Sequence, residues 1–428
     1  MTADPALVVK GGRLVDATGV RSGDVVIGAD GTIVAVGPDL DAPSVLDAGG
    51  CVVSPGFVDI HSHLRQPGQE ESETIETGAR GAAVGGYTCI LAMPNTIPAI
   101  DSASVAREVL DLGRDAPCDV RTSGAITVGR AGGQLAPMAE LAELGVTLFT
   151  DDGAGVQDNL LMRRAMEYAA GLGVTLAQHC EDDALCGGGH MHEGEWSSRL
   201  GIPGQPAEAE ELMVMRDIAL ARLTGAKIHF QHMSTAGSLA MIAGAKAGGL
   251  AITCEATTHH FTLTHASCAT FDPVFKVNPP LRTDDDVAAV KAGFVDGTVD
   301  CIATDHAPHA PDLKLQPFDE APPGMLGLET ALALALTELD LEVEQVVALL
   351  SWQPARIIGA DDRHGLPIQE GNPANLCVFD PEEEWTIDGS TMQSRSRNTP
   401  YAGRRVRGRV RHTILEGEPV VRDGEPTR

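Results

Sequence analysis

Residues 56–65 read GFVDIHSHLR, in which a short apolar run, FVDI (57–60), leads directly into His61 and His63. Residues two apart on a β-strand point their side chains to the same face, so both imidazoles should lie on one side of a sheet. This stretch therefore predicts both a β-strand and, at the end of that strand, a candidate functional site. The remainder of the chain repeats the strand part of this pattern.

Seven more short apolar runs follow, separated by Ala- and Leu-rich stretches of helical character. They are YTCILAM (87–93), VRTSGAITV (120–128), VTLFT (146–150), VTLAQ (174–178), KIHFQ (227–231), AITCE (251–255) and DCIAT (300–304). Strands that alternate with helices predict a parallel sheet, and eight is the number of strands that closes a barrel. The sequence therefore predicts an α/β protein with a (β/α)8 barrel.

The two ends of the chain have a different texture from the middle. Residues 1–55 and 366–428 contain β-branched runs broken by glycine, which are typical of strands joined by tight turns. Chain termini often lie close together, so we expect both ends to pair into one small β-domain. The barrel would then occupy residues 56–365, with the Pro- and Asp-rich segment 309–325 as a long loop.

Charge and composition exclude several classes of function. Acidic side chains outnumber basic ones by 60 to 31, and the formal net charge is −29. Phosphate binding needs clustered Lys and Arg, so we expect no nucleic-acid partner and no anionic membrane surface. We find neither an apolar run of about 20 residues nor the pattern of a secretion signal. Nine scattered cysteines without a CxxC pair are typical of reduced thiols in a cytoplasmic protein.

Histidines and aspartates follow the predicted strands at the point where each strand ends. After the first pair come Asp151 and Asp152, then His179, His232 and Asp305. The carboxyl ends of barrel strands form the active-site face, so these side chains should converge there. Nitrogen and oxygen donors of this kind suit Zn²⁺ or a similar divalent ion.

The donor set is too large for one tetrahedral ion. It predicts two metal ions, one held by His61 and His63 and the other by His179 and His232. A carboxylate from the Asp151–Asp152 pair would bridge them. Zinc lowers the pKa of bound water to about 7, and Asp305 would act as general base and proton shuttle as well as a ligand. The predicted reaction is hydrolysis of an amide-like bond, or its reverse.

Several stretches together resemble the bacterial class I dihydroorotases of the amidohydrolase superfamily over nearly the whole chain. They are GFVDIHSHLRQPGQEESETIETGARGAAVGGYT, MPNT, FTDDGAGVQ, QHCEDD, EGEWSSRLGIPGQPAEAE, HFQHMST, KVNPPLR, IATDHAPH and PPGMLGLET. The resemblance implies a distorted (β/α)8 TIM barrel with a small β-sandwich domain built from both chain ends. It also implies the interconversion of dihydroorotate and N-carbamoyl-L-aspartate in pyrimidine synthesis, with one or two zinc ions.

The resemblance assigns further residues. Many relatives bridge their metals with a carboxylated lysine, whereas class I dihydroorotases use an aspartate, which falls on Asp152 here. The substrate carboxylate needs a local cation in so acidic a protein, and Arg65 offers a bidentate guanidinium. The remaining substrate residues implied by the resemblance are Asn95 and His309 at the carboxylate, Asn278 at the ring amide, and the backbone at Pro323 and Gly324.

Two other functions remain open on the sequence. One is another cyclic amidase, such as a hydantoinase or an allantoinase, against which stand Arg65, the MPNT stretch and the missing fourth-strand lysine. The other is a non-catalytic structural partner of aspartate transcarbamoylase, although all six metal positions are filled here. A homodimer, or an active enzyme in complex with the transcarbamoylase, is compatible with either enzymatic interpretation.

Three other features receive no catalytic role. We expect the segment from His190 to Glu193 to be a solvated loop, and we assign no role to His259 and His260. The arginines between residues 404 and 411 could meet an acidic partner or the acidic surface of the chain itself.

Overall fold

The computed structural model describes residues 3–428. The first five strands are β1 (Pro5–Asp16), β2 (Gly19–Gly28), β3 (Ile33–Gly37), β4 (Ser44–Asp47) and β5 (Val52–Pro55). β1 pairs antiparallel with β2, and it pairs in parallel with β4 through its first half and with β5 through its second half. A shift in register between Val9 and Gly12 separates the two halves, so β1 is the strand to which three others attach.

Ten strands follow in the middle of the chain. They are β6 (Phe57–Ser62), β7 (Tyr87–Ala92), β8 (Asp119–Thr122), β9 (Leu148–Phe149), β10 (Thr175–Gln178), β11 (Met191–His192), β12 (Gly204–Gln205), β13 (Lys227–Phe230), β14 (Ile252–Thr257) and β15 (Cys301–Ala303). All but β11 and β12 pair in parallel in two groups, β6-β7-β8 and β9-β10-β13-β14-β15. Single parallel bridges, Gly124 to Phe149 and Ser62 to His306, join the groups at both ends. The predicted eight-stranded barrel is therefore confirmed.

Fourteen α-helices accompany these strands. They are α1 (Ile75–Val84), α2 (Ala103–Leu112), α3 (Met138–Ala142), α4 (Asn159–Leu172), α5 (Asp183–Cys186), α6 (Glu195–Leu200), α7 (Glu208–Thr224), α8 (Ala236–Ala247), α9 (Thr258–Thr262), α10 (Asp284–Asp296), α11 (Pro311–Lys314), α12 (Ala331–Glu338), α13 (Val343–Leu350) and α14 (Trp352–Ile357). Across residues 3–428, no helix combines the length and apolarity that a membrane crossing requires.

The barrel strands are apolar along their length because both of their faces are covered. Every residue of β6 and β7 is buried, as expected for parallel strands with helices outside and side chains inside. One apolar cluster joins Val58, Leu91, Leu148 and Cys301 from different strands with Ala355 of α14. Since these strands lie on different sides of the barrel, the cluster lies inside it.

A buried carboxylate ties the last barrel strand to the first. Asp59 in β6 accepts hydrogen bonds from the backbone N–H of Thr304 at 3.0 Å, from its hydroxyl at 2.7 Å, and from Ser62. Burial raises the pKa of Asp59 to about 6. These bonds fix the position of the chain immediately before Asp305.

One predicted strand is shorter than its sequence suggested. The run 120–128 forms β8 only as far as Thr122. Gly124 still pairs with Phe149 through a single bridge, and a 3₁₀ turn follows at Val128–Arg130. The backbone N–H groups of Ile126 and Thr127 donate to Asp151 instead of to a neighbouring strand. A side-chain acceptor has thus replaced the sheet ladder.

The last four strands of the chain join the sheet formed by the first five. They are β16 (Leu376–Thr386), β17 (Arg405–Leu415), β18 (Glu418–Arg422) and β19 (Glu425–Pro426). β16 pairs antiparallel with β5, so strands from both ends of the chain form one nine-stranded sheet. Leu7, Val25 and Val53 share a buried cluster with Val378 and Ile414, which gives this sheet a core of its own.

Gly31 holds the two chain ends together, and its replacement should weaken the fold. Its φ is +79°, and a Cβ there would lie 2.2 Å from the carbonyl oxygen of Glu416. We expect Gly31→Ala to lower the free energy of unfolding by about 2 kcal/mol or more, through backbone strain and this clash. Gly37→Ala is the matched control, because a Cβ there meets nothing within 4 Å. Equal thermal unfolding midpoints for the two variants would contradict this account.

Candidate metal centre

The six predicted metal-binding side chains lie together at the carboxyl ends of the barrel strands. His61 lies at the end of β6 and His63 just beyond it, while Asp152, His179, His232 and Asp305 follow β9, β10, β13 and β15. All six are buried. The strand order of the barrel therefore brings together residues that are up to 244 positions apart in sequence (305 − 61).

Asp152 lies at the centre of the cluster. Its Oδ1 is 3.3 Å from His61 Nε2, 3.6 Å from His179 Nδ1 and 3.8 Å from His232 Nε2. Its Oδ2 is 3.6 Å from His63 Nε2. Burial raises the pKa of this carboxyl, but the imidazoles, that of His61 foremost, outweigh burial and hold the pKa well below its usual range. The carboxylate is thus ionised and faces four imidazoles at once.

Asp305 completes one side of the cluster. Its Oδ1 lies 2.9 Å from His63 Nε2 and 3.6 Å from His61 Nε2. Burial raises its pKa, but these two imidazoles lower the pKa by more than burial raises it, so the carboxyl is ionised. Asp305 and His232 both have positive φ, +45° and +38°. Non-glycine residues seldom adopt this conformation, and it turns both side chains out of their strand direction into the site.

The structure distinguishes the two adjacent aspartates. The Asp151 carboxylate accepts from the N–H groups of Ile126 and Thr127, at 2.9 and 3.0 Å, and from the Thr127 hydroxyl. These bonds occupy both of its oxygens. Asp151 therefore holds the neighbouring loop, and Asp152 is the residue that enters the histidine cluster.

Three of the histidines have a partner on the nitrogen that faces away from the cluster. His61 Nδ1 lies 2.5 Å from Glu255, His63 Nδ1 lies 2.9 Å from Asn95 Oδ1, and His179 Nε2 lies 2.8 Å from Glu181. A nitrogen that faces such an oxygen carries a proton and donates it. Burial lowers the pKa of His61 and His179, but the surrounding carboxylates outweigh it, raising the pKa of His61 well above its usual value and that of His179 to about 10, so a metal would displace the second proton from the inner nitrogen. Partners of this type are typical of metal-binding histidines.

The cluster fits a divalent metal cofactor. Two sets of donors share His61, namely His61, Asp152 and His232, and His61, His63 and Asp305, each with its donor atoms within 4.8 Å of one another. His61 Nε2 is buried and makes no hydrogen bond. His179 Nδ1 and His232 Nε2 lie only 2.8 Å apart, although His179 already donates through its other nitrogen. A bound cation would take the place of the protons at these converging nitrogens.

All six predicted substrate residues line one cavity of about 240 Å³ at this cluster. They are Arg65, Asn95, Asn278, His309, Pro323 and Gly324. Five of the six metal-site residues, all but His61, line the same cavity. Since pockets for drug-sized ligands begin at about 300 Å³, this space suits a small metabolite.

Arg65 is a buried cation without a carboxylate partner. Its Nε donates to the carbonyl of Pro308 at 3.1 Å, and its Nη2 lies 3.4 Å from His309 Nε2. Within residues 3–428, no carboxylate oxygen lies within 4.0 Å of its guanidinium. Burial lowers the pKa of Arg65 to about 10, so it remains charged at neutral pH. The cavity therefore presents a cation that is suited to an anionic ligand.

Asn278 offers a hydrogen-bond acceptor, whereas Arg65 offers a cation. Its Oδ1 is buried and accepts no hydrogen bond. Nearby, Gly324 has a φ of +141°, and a Cβ there would lie 2.7 Å from the Cβ of Ala307 and 2.9 Å from His309 Nε2. The wall of the cavity thus provides a free acceptor and a backbone segment that only glycine can form.

Three residues of the site were missed by the sequence analysis. Glu181 and Glu255 bind the outer nitrogens of His179 and His61, and Arg130 lines the cavity. Glu181 follows His179 by two residues, which was a usable signal. Glu255 lies within a strand and Arg130 within a Gly-rich loop, so neither has a local pattern that marks it.

The expectation that residues 190–193 form a solvated loop is wrong at His192. β11 pairs with β12, and His192 is buried with its Nδ1 3.2 Å from Nη1 of Arg282. Arg282 also donates to Ser234, at 3.1 Å. His192 is therefore an acceptor for a buried arginine.

The arginines between residues 404 and 411 meet the acidic surface of the chain itself. Their partners are Glu338 for Arg404, Glu384 for Arg405, Glu382 for Arg407, and Glu383 for Arg409 and Arg411.

His260, to which the sequence assigned no role, forms hydrogen bonds with the Thr257 hydroxyl and with the carbonyl of Pro279.

Replacing Glu255 should weaken metal binding without direct loss of a ligand. Glu255 contacts His61 and His229, whose imidazoles outweigh burial and lower its pKa to about 2. We expect Glu255→Gln to reduce zinc affinity about 10- to 100-fold, because the charge that orients and polarises His61 is lost. A competition titration against a chromophoric chelator measures this, with Glu108→Gln, a change at an exposed carboxyl, as control. Unchanged affinity in Glu255→Gln would show that this partner is dispensable.

The chain is similar to known proteins both in sequence and in fold. A family model described as dihydro-orotase-like matches residues 50–238. A dihydroorotase from Geobacter sp. (strain M21) is 43% identical over 426 residues, which cover 98% of this chain and 100% of that protein. A dihydroorotase from Streptomyces coelicolor is 46% identical over 414 residues, covering 94% and 96%.

A solved structure of an L-hydantoinase from Arthrobacter aurescens superimposes with a TM-score of 0.89, at 24% identity, and covers 99% of this chain and 98% of that one. At this identity the likeness concerns the fold alone, a barrel with an attached sheet domain. The two sequence relatives show the family as well as the fold, because the sequence identity of each is far above the level at which family membership is secure. The chain belongs to the dihydroorotase family.

Proposed function

We propose that this protein is a dihydroorotase, a hydrolase of a cyclic amide bond. It would interconvert dihydroorotate and N-carbamoyl-L-aspartate in pyrimidine biosynthesis. The observation that carries the proposal is the juxtaposition in one small cavity of the Asp152-centred cluster and Arg65, an unpaired cation. Dihydroorotate needs both, since it has an amide to be hydrolysed and a carboxylate to be bound.

We infer that the metal is zinc and that two ions are bound. His61, His63 and Asp305 would hold one, His179 and His232 the other, and Asp152 would bridge them. Imidazole and carboxylate donors suit zinc. Bound metal supplies Lewis acidity, which makes water nucleophilic near neutral pH and polarises the amide carbonyl.

The substrate carboxylate would lie against Arg65, Asn95 and His309. Asn95 uses its Oδ1 for His63 and one N–H for Asp152, at 3.3 Å, so its second N–H remains available. Asn278 Oδ1, which has no partner in the protein, would accept from a ring N–H. These contacts fix the ring by its charge and its amide, with the scissile carbonyl directed towards Asp152 and Asp305.

Asp305 would move the proton. In hydrolysis its carboxylate accepts a proton from the attacking water and then delivers it to the amide nitrogen as the C–N bond breaks. In the reverse direction the same group removes the proton from that nitrogen. Its contact with His63, at 2.9 Å, holds it at the cluster edge where the water and the amide meet.

A neutral cyclic amide is the second candidate substrate, because the fold matches that of an L-hydantoinase. Two features of the chain favour dihydroorotate. Arg65 places an uncompensated charge beside the ring position, and the fourth barrel strand leads to Asp152 where a carboxylated lysine would be needed.

A substrate comparison tests the proposal. We expect kcat/KM for dihydroorotate to exceed that for hydantoin and for allantoin by at least about 100-fold, since only dihydroorotate has a carboxylate for Arg65. The rates are measured on one metal-loaded preparation, with and without chelator. A preference for either neutral ring would refute the assignment of the substrate.

Removal of the proposed proton shuttle should abolish turnover. We expect Asp305→Ala to lower kcat at least about 1,000-fold, because a general base and a metal ligand are lost together. Metal analysis should still find the ion held by His179 and His232. Asp312→Asn, a change at an exposed carboxyl, is the control. Near-normal turnover in Asp305→Ala would contradict the role given to this residue.

A further inference from the structure

Arg130 is a second guanidinium on the wall of the active-site cavity. No motif of the sequence analysis includes it. It lies in the loop between β8 and β9, at the end of a short 3₁₀ turn, Val128–Arg130. Its side chain is half-buried, and its Nη2 donates to the backbone carbonyl of Asp152.

The loop is built to hold Arg130 in place. Gly129 and Arg130 both have left-handed backbones, with φ of +61° and +55°. The N–H of Arg130 donates to the carbonyl of Thr127 at 2.9 Å, and the Thr127 side chain is fixed by Asp151. A left-handed conformation is unfavourable for arginine, and it persists here because surrounding hydrogen bonds determine the loop. Asp151 thus positions the arginine that contacts its neighbour Asp152.

The charge of Arg130 is unpaired. In the part of the chain that the structure describes, no carboxylate oxygen lies within 4.0 Å of its guanidinium, although the protein has 60 acidic side chains. Its Nε is buried and has no hydrogen-bond partner. Among the described residues the guanidinium donates only through Nη2, so a half-buried arginine on the cavity wall retains further N–H donors for a ligand.

Arg130 lies beside a residue already placed at the substrate carboxylate. A Cβ built on Gly153 would be 3.4 Å from Arg130 Nη2 and 3.7 Å from Asn95 Nδ2, so both groups flank Gly153 on one wall. Arg130 is also among the charges that act on the pKa of Arg65, after burial and the nearby carboxylates. The lining of this one cavity therefore holds two arginines, Arg65 and Arg130, that have no carboxylate oxygen of residues 3–428 within 4.0 Å.

We propose that Arg130 is a second cationic contact for the reactant carboxylates, next to Asn95, in addition to Arg65. The inference rests on the proposed function, because it takes dihydroorotate and N-carbamoyl-L-aspartate as the ligands. One reactant is a monoanion and the other a dianion, and the protein has a net charge of −29. Two cations in one cavity offset the repulsion between the anionic reactant and the negatively charged protein more fully than one cation would.

The test compares Arg130→Gln and Arg130→Lys with the wild-type enzyme, in both directions of the reaction. A hydrogen-bonded charge at a binding site contributes about 1.5–3 kcal/mol, so we expect Arg130→Gln to raise KM for each reactant about 10- to 100-fold. Because Arg130 also contacts the Asp152 carbonyl, we expect a smaller fall in kcat beside the larger rise in KM, and metal content is measured on each variant. Arg130→Lys should recover part of the affinity, and added salt should weaken binding less in Arg130→Gln than in wild type.

Arg114→Gln is the matched control, because it removes one positive charge from an exposed helix end far from the cavity lining. An unchanged KM in Arg130→Gln would overturn the proposal. A fall in kcat and in metal content at unchanged KM would also overturn it, and would show that Arg130 serves only to hold Asp152. Failure of the wild-type enzyme to convert dihydroorotate would instead refute the proposed function itself.

Discussion

The arrangement of the site depends on one buried carboxylate, Asp152, surrounded by imidazoles from three other strands. Four ring nitrogens lie 3.3–3.8 Å from its two oxygens. These nitrogens and oxygens lie in a site that excludes water, where charged groups are costly to bury unless they are paired with one another or with a metal ion. Three features place the donors around this carboxylate: the bonds from Thr304 to Asp59 next to Asp305, the left-handed backbones of His232 and Asp305, and the bonded outer nitrogens of the histidines.

A second layer of contacts gives the cluster its shape. Glu255 binds His61 with one oxygen and His229 with the other, and thereby connects β6, β13 and β14. Asn95 binds His63 and Asp152 at once. Asp151 fixes the loop from which Arg130 reaches the Asp152 carbonyl. Because His61, His63 and Asp152 are each held by a residue that lies on or follows another strand, this part of the site is in position before any substrate enters.

The barrel and the principal cluster could be predicted from sequence because both follow from position along parallel strands. Residues that come directly after a strand meet at one edge, whatever their distance in the chain. The choice between Asp151 and Asp152 could not be made from spacing, since it depends on which carboxylate accepts hydrogen bonds from the backbone N–H groups of Ile126 and Thr127. Glu255 and Arg130 escaped notice because their roles come from tertiary contacts. His192 was placed in solvent because a two-residue bridge between β11 and β12 has no sequence signature.

The most direct test of the central claim is anomalous diffraction from crystals of the zinc-loaded protein. The account predicts two peaks roughly 3.5–4 Å apart on either side of the Asp152 carboxylate, one against His61 and His63 and the other against His179 and His232. A single peak that Asp152 does not contact, or none at these histidines, would contradict it.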